Sequence, residues 1–159
     1  MKTLYIMRHA DKDTSNPNID DYDIQVTPKG LKDVENVSKK LKEKNVLPDL
    51  LVASPALRTK QTAEIVAKEL GYTKSIMYNE VLFQAFVNEL IESITYTFDD
   101  VNTLMIVGHN PSLTALGVSL VGLKEKILMG EVLKIEFDCN SWTSIDISNA
   151  KLIYQIKPD

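Results

Sequence analysis

The 159-residue chain holds only two histidines, His9 and His109, and only two arginines, Arg8 and Arg58, and each of the four follows an apolar run. Arg8 and His9 come directly after Leu4-Tyr5-Ile6-Met7, Arg58 a few residues beyond Leu50-Leu51-Val52-Ala53, and His109 after Met105-Ile106-Val107-Gly108. Arginine presents a planar fork of N–H donors that matches phosphate oxygens two at a time, so two arginines can hold a dianionic phosphoryl group from two sides. A neutral imidazole, with a reference pKa of about 6.5, keeps a lone pair near neutral pH. It can attack phosphorus to form a phosphohistidine, which water then hydrolyses. Glu80, just beyond Ser75-Ile76-Met77-Tyr78, adds a carboxyl at a similar position. Taken singly, a His after a strand is commonly a hydrogen-bonded structural residue and an Arg a surface ion pair. It is the joint placement of the four that points to phosphate chemistry. Glu80 is one acid among 22 and carries less weight.

The runs that carry these residues have the length of buried strands, and the segments between them have helical spacing. Leu4-Tyr5-Ile6-Met7, Leu50-Leu51-Val52-Ala53, Ser75-Ile76-Met77-Tyr78 and Thr103-Leu104-Met105-Ile106-Val107 read as strands. Thr27-Pro28 is a cap followed by a first-turn proline, and Leu31, Val34, Val37, Ser38 and Leu41 then mark one helix face to about Lys44. Ser54-Pro55 repeats that pattern before Leu57, Ala63, Ile65, Val66 and Leu70, with Gly71 as the stop. Arg58 then falls in a first helical turn, where backbone N–H groups already favour an anion. Phe86, Leu90, Ile91, Ile94 and Phe98 mark a third helix, and Gly108-His109-Asn110-Pro111 opens a fourth that runs to about Val121. Residues 132–138 and 152–157 alternate apolar and polar across a polar connection at 140–149, the pattern of an antiparallel pair. The expected fold is α/β: a three-layer α/β/α sandwich with a mostly parallel sheet and an antiparallel C-terminal edge pair, residues 1–159 forming one domain. Ligands of open α/β sheets sit at the carboxyl ends of the strands, and Arg8, His9, Arg58, Glu80 and His109 all fall there. Periodicity alone predicts that they cluster.

Composition narrows the classes. Apolar residues make up 44% of the chain and charged residues 25%, ordinary for a globular protein. A net charge of −4 with scattered lysines argues against a nucleic-acid surface or an anionic-membrane surface, so any anion site is local. One cysteine, Cys139, excludes an internal disulfide and a cysteine-rich zinc site and reads as a small turn residue. No apolar stretch approaches the ~20 residues that cross a bilayer, and the run after Met1-Lys2-Thr3 is shorter than a signal-peptide core. A cytoplasmic location is expected. Segment 11–25 leaves directly from the site and is rich in Asp, Asn and Ser. Its aspartates Asp11, Asp13, Asp20, Asp21 and Asp23 lack the spacing of a calcium loop, so a solvated loop is expected, a candidate for substrate selection by its position.

Four blocks, Leu4-Tyr5-Ile6-Met7-Arg8-His9-Ala10, Val26-Thr27-Pro28-Lys29-Gly30, Ala53-Ser54-Pro55-Ala56-Leu57-Arg58-Thr59-Lys60-Gln61-Thr62-Ala63 and Val107-Gly108-His109-Asn110, resemble the histidine phosphatase superfamily in kind and in order. The likeness runs from the N-terminus to about residue 121, and the short length resembles the compact SixA-type branch, whose members include phosphohistidine phosphatases. The resemblance implies that His9 is the nucleophile, that Arg8, Arg58 and His109 complete the phosphate pocket and stabilise charge on the equatorial oxygens, and that Glu80 matches the position from which larger members supply a general acid. It implies no metal and no cofactor. Two departures stand out. Ala10 replaces the glycine that usually follows the nucleophile, which a negative φ permits. Between Glu80 and Thr103 there is room for one helix and no inserted cap, which leaves the site open enough for a phosphorylated protein side chain.

The leading expectation is a phosphatase acting on protein phosphohistidine. Within the same family the alternative is a phosphatase or phosphotransferase acting on a small phosphorylated metabolite. From other classes the alternatives are a catalytically weak phosphate-binding regulatory module and a metal hydrolase using the histidines and nearby aspartates. The intact pair His9 and His109 argues against the regulatory module, and two arginines in one pocket would repel a dication.

Overall fold

The apolar runs become strands because both of their faces are covered. A computed structural model describes residues 1–159. Its strands are β1 (Lys2–Arg8), β2 (Leu50–Ala53), β3 (Met77–Tyr78), β4 (Thr103–Gly108), β5 (Val132–Phe137) and β6 (Ala150–Ile156). They form one sheet in the order β3-β2-β4-β1-β5-β6. The first four in that order run parallel, while β5 is antiparallel to β1 and β6 to β5, which is the expected mixed architecture with its antiparallel edge. Helices α1 (Pro28–Glu43) and α2 (Leu57–Leu70) cover one face, and α3 (Val87–Thr95) and α4 (Ser112–Val121) the other. Along β1, Tyr5 and Met7 pack with Val34, Val37 and Val66, while Leu4 and Ile6 pack with Leu90, Leu113 and Leu116. The period-2 alternation of a strand thus feeds two separate cores.

Helix α1 starts as its sequence prescribes. The Thr27 hydroxyl accepts from the Gly30 N–H at 3.0 Å, Pro28 occupies the first turn, and Val34, Val37, Ser38 and Leu41 are buried. Helix α2 ends at Gly71 in the left-handed conformation (φ 74°), where a side chain would be strained.

Several local expectations are corrected. Ser54-Pro55 does not cap α2; the helix opens at Leu57, with Ala56 as a cap residue that supplies no side-chain bond. Ser54 is spent elsewhere, on His109. Pro111, joined to Asn110 by a cis peptide bond, precedes α4, which begins at Ser112. Asn110 nevertheless does the work of a cap, its Oδ1 accepting from the Thr114 N–H and hydroxyl. Ser75 and Ile76 lie outside β3, and Leu31 is exposed on α1. Phe86 and Phe98 are 79% and 81% exposed and flank α3 instead of packing beneath it, because a nine-residue helix is too short to bury both. The polar connection before β6 hides a core residue: Trp142, fully buried, whose indole N–H donates to the Val101 carbonyl at 2.7 Å. No helix is long and apolar enough to cross a membrane.

Candidate active site

Strand register brings the histidines together. Arg8 pairs with Gly108 across β1 and β4, so the next residue of each chain segment, His9 and His109, emerges side by side. Their ring centroids are 5.2 Å apart. The His9 N–H of the backbone donates to the Gly108 carbonyl, and Gly130, in the connection before β5, donates back to the His9 carbonyl. The turn that follows is held from α2: the Thr62 hydroxyl accepts from the Ala10 N–H at 3.0 Å and donates to the Arg58 carbonyl one helical turn earlier. Ala10 is buried and lies outside the positive-φ region, so its methyl group is accommodated.

One tautomer, with the proton on Nδ1, fits the hydrogen bonds of both imidazoles. His9 Nδ1 lies 2.7 Å from the Ala10 carbonyl oxygen, which can only accept, so Nδ1 carries the proton and Nε2 keeps its lone pair. Nε2 makes no hydrogen bond within the protein. At His109, Nε2 lies 2.8 Å from the Ser54 hydroxyl, whose oxygen also accepts from the Ala56 N–H at 3.2 Å. We assign Ser54 as the donor to Nε2, which puts the His109 proton on Nδ1. Burial, with the charges of Arg58, Arg8 and Lys12 acting in the same direction, pushes His9 down to about 4 against a partly offsetting bond to Ala10. Burial, then His9, Arg58, Lys12 and Arg8, push His109 down to about 3. Both rings are neutral at physiological pH.

Arg58 sits in the first turn of α2 and is buried; Arg8 closes the other side, its Nη1 donating to the Ile127 carbonyl at 3.1 Å. The Arg8 guanidinium is pushed below its ordinary range by burial and then by the charge of Arg58, a sign that the two cations share one environment. Four buried side-chain polar atoms lack a partner in the protein, and three of them belong to this cluster: Arg8 Nε, Arg58 Nε and His109 Nδ1. Buried donors are normally paired, so three together imply an anionic ligand with several acceptors.

Of the five residues expected to cluster, four do. Glu80 opens a 3-10 turn (Glu80–Leu82) that packs against the end of β4, where the Leu82 carbonyl lies 3.4 Å from the position a Gly108 Cβ would take. Its side chain is exposed and makes no ion pair or hydrogen bond, so Glu80 stands on the rim and not in the pocket. Three participants escaped the sequence. Ser54 resembled a helix cap, and Lys12, one of the scattered lysines, adds positive charge that disfavours protonation of both imidazoles. Phe83, which meets His109 edge-on at 5.3 Å, gave no signal at all. The loop 11–25 is also more than solvated chain. A 3-10 turn at Asp21–Asp23 lies against Arg58, whose Nη1 donates to the Asp21 carbonyl and Nη2 to its carboxylate at 3.3 Å.

Residues 4–82 match the model of the histidine phosphatase superfamily (branch 1). An uncharacterised protein of Mycobacterium tuberculosis is 31% identical over 117 residues, covering 74% of this chain and 71% of that protein. The chain belongs to the histidine phosphatase superfamily. Its fold is that of SixA: the Agrobacterium tumefaciens SixA structure superimposes with a TM-score of 0.86 over 99% of this chain and 98% of that one, at 21% identity. A structure of the protein histidine phosphatase SixA complexed with tungstate gives 0.83 over 98% and 97%, also at 21% identity. Family membership places the chain among hydrolases that act on phosphoryl groups.

Proposed function

We propose that this superfamily member is a metal-independent phosphatase that works through a covalent phosphohistidine on His9, with phosphohistidine on a protein as its preferred substrate. The convergence of three unpartnered buried donors, Arg8 Nε, Arg58 Nε and His109 Nδ1, beside the free lone pair of His9 Nε2 carries this reading. The donors hold the phosphoryl oxygens, which orients phosphorus toward Nε2. Nε2 attacks, the bond from phosphorus to the leaving atom breaks, and the leaving group keeps the electron pair and takes a proton. Water then attacks the phosphohistidine, the P–Nε2 bond breaks, and inorganic phosphate departs with His9 neutral again. Glu80, on the rim, is the candidate proton donor for an alkoxide; an imidazole leaving group needs less help. A dication would face two guanidinium groups, which favours catalysis without one.

Two features support a protein substrate. A single short helix, α3, separates Glu80 from β4, so no cap covers the site, and the neighbouring SixA structures share this open fold. The test compares wild type and His9→Ala on a phosphohistidine protein, an aryl phosphate and sugar or glycerate phosphates. Turnover is expected to fall by about three orders of magnitude or more in the variant. Wild type should favour the phosphohistidine protein and stay active with a strong chelator. Full activity of His9→Ala on every substrate would sink the reading.

A further inference from the structure

A row of rings connects the buried histidines to the loop above them. His9 and His109 lie 5.2 Å apart, His109 and Phe83 5.3 Å, and Phe83 and Tyr22 5.3 Å, the last two pairs meeting edge to face. The one other close ring pair, Phe137 with Trp142, is in the core, so aromatic contact outside the core is concentrated at this site. Phe83 and Tyr22 are half-buried, and they come from the two segments that flank the site: the turn that starts at Glu80 and the turn at Asp21–Asp23. The second turn is pinned beside the clamp by the bonds from Arg58 to Asp21. The Tyr22 hydroxyl makes no hydrogen bond, so what Tyr22 and Phe83 bring to the rim is ring surface.

In-line displacement sends the leaving group away from His9 Nε2, out of the pocket and toward its rim. We propose that Tyr22 and Phe83 form the leaving-group subsite and select a planar aromatic leaving group, the imidazole of phosphohistidine or the phenol of an aryl phosphate, over an aliphatic alcohol. The proposal rests on the phosphatase reading above and narrows its substrate class. An aromatic group gains ring contacts with Phe83 that an alkyl group of similar size does not, and such contacts are worth roughly two- to tenfold each.

The experiment measures kcat/KM on peptides of one flanking sequence bearing phosphohistidine, phosphotyrosine or phosphoserine, for wild type, Phe83→Leu, Tyr22→Leu and Tyr22→Phe. Phe83→Leu should lower the ratio of aromatic to aliphatic rates about tenfold, Tyr22→Leu should lower it severalfold, and Tyr22→Phe should restore it. The wild-type ratio of phosphohistidine to phosphotyrosine identifies which ring the subsite prefers. Tyr22 lies on a loop, so Tyr22→Leu still reads the ratio if Phe83→Leu fails to fold. A uniform drop on all three peptides would make the rings a structural wall for His109 and overturn the subsite, as would a ratio unchanged in both leucine variants. Wild-type inactivity on all three peptides overturns the phosphatase reading itself, and the subsite with it.

Discussion

Ser54 decides how His109 can act. Its hydroxyl accepts from the Ala56 N–H and, with its own proton turned toward His109 Nε2, leaves an Nδ1 proton to face the pocket. Removing that hydroxyl frees the imidazole to adopt the other tautomer, which would present a lone pair to a phosphate oxygen. Ser54→Ala is accordingly expected to lower kcat by roughly 10–100-fold, in line with the loss of orienting partners elsewhere. Unfolding temperature should fall as well, with about 1–3 kcal/mol of stability lost, since the buried Ala56 N–H and His109 Nε2 both lose their partner. Steady-state kinetics and a thermal melt on the same preparation check both parts. The four residues proposed to bear the phosphate were legible in the sequence because His and Arg are so scarce here that their positions stand out. Ser54 was legible only as a type, since serine before proline is the ordinary signature of a helix start.

At the scale of elements, the site depends on how closely α1 approaches the turn after β1. A Cβ built on Gly30 would lie 2.7 Å from the Asp11 carbonyl oxygen, 2.9 Å from the Asp11 nitrogen and 3.1 Å from the Ala10 Cβ. Those neighbours are backbone and a buried methyl, which cannot swing away. Gly30→Ala should therefore cost about 1–3 kcal/mol of stability and displace the turn that holds His9, with kcat/KM falling alongside. Gly71→Ala is the contrasting case: its φ of 74° strains a side chain, yet nothing lies within 4 Å, so it should lose stability without losing activity. Paired melts and assays of the two variants separate packing at the site from strain remote from it. The strands and helices were largely legible, because period 2 and period 3.6 survive in the pattern of burial. The exposed Phe86 and Phe98 were misjudged because periodicity does not say how long a helix will be.

Over the whole molecule, two neutral histidines make stability depend on pH. Each has a folded pKa below its ordinary 6.5, at about 4 for His9 and about 3 for His109. The unfolded chain therefore takes up protons first as the pH falls below 6.5. Stability is fully present above that value and is lost as the pH drops toward 4, by up to about 1.4 kcal/mol per unit for each histidine. Urea unfolding at pH 7 and pH 5 should differ by roughly 2–4 kcal/mol in wild type. A His9→Asn, His109→Asn double variant should lose most of that difference; an equal difference in both proteins would show that other groups carry it. The same two-arginine pocket sits in a chain of net charge −4, so positive charge is concentrated at one place while the chain as a whole is anionic.

The sequence alone determined the α/β alternation and the strand ends at which Arg8, His9, Arg58 and His109, the residues proposed to carry the chemistry, come together. These follow from composition and local periodicity, which belong to short stretches of chain. Tertiary structure decided the rest: the β1–β4 register that sets His9 beside His109, the Ser54 bond, the charge of Lys12 on both imidazoles, the rim position of Glu80, and the ring row from His109 through Phe83 to Tyr22. Each of these joins segments far apart in the chain, and which partners meet there depends on strand order and register.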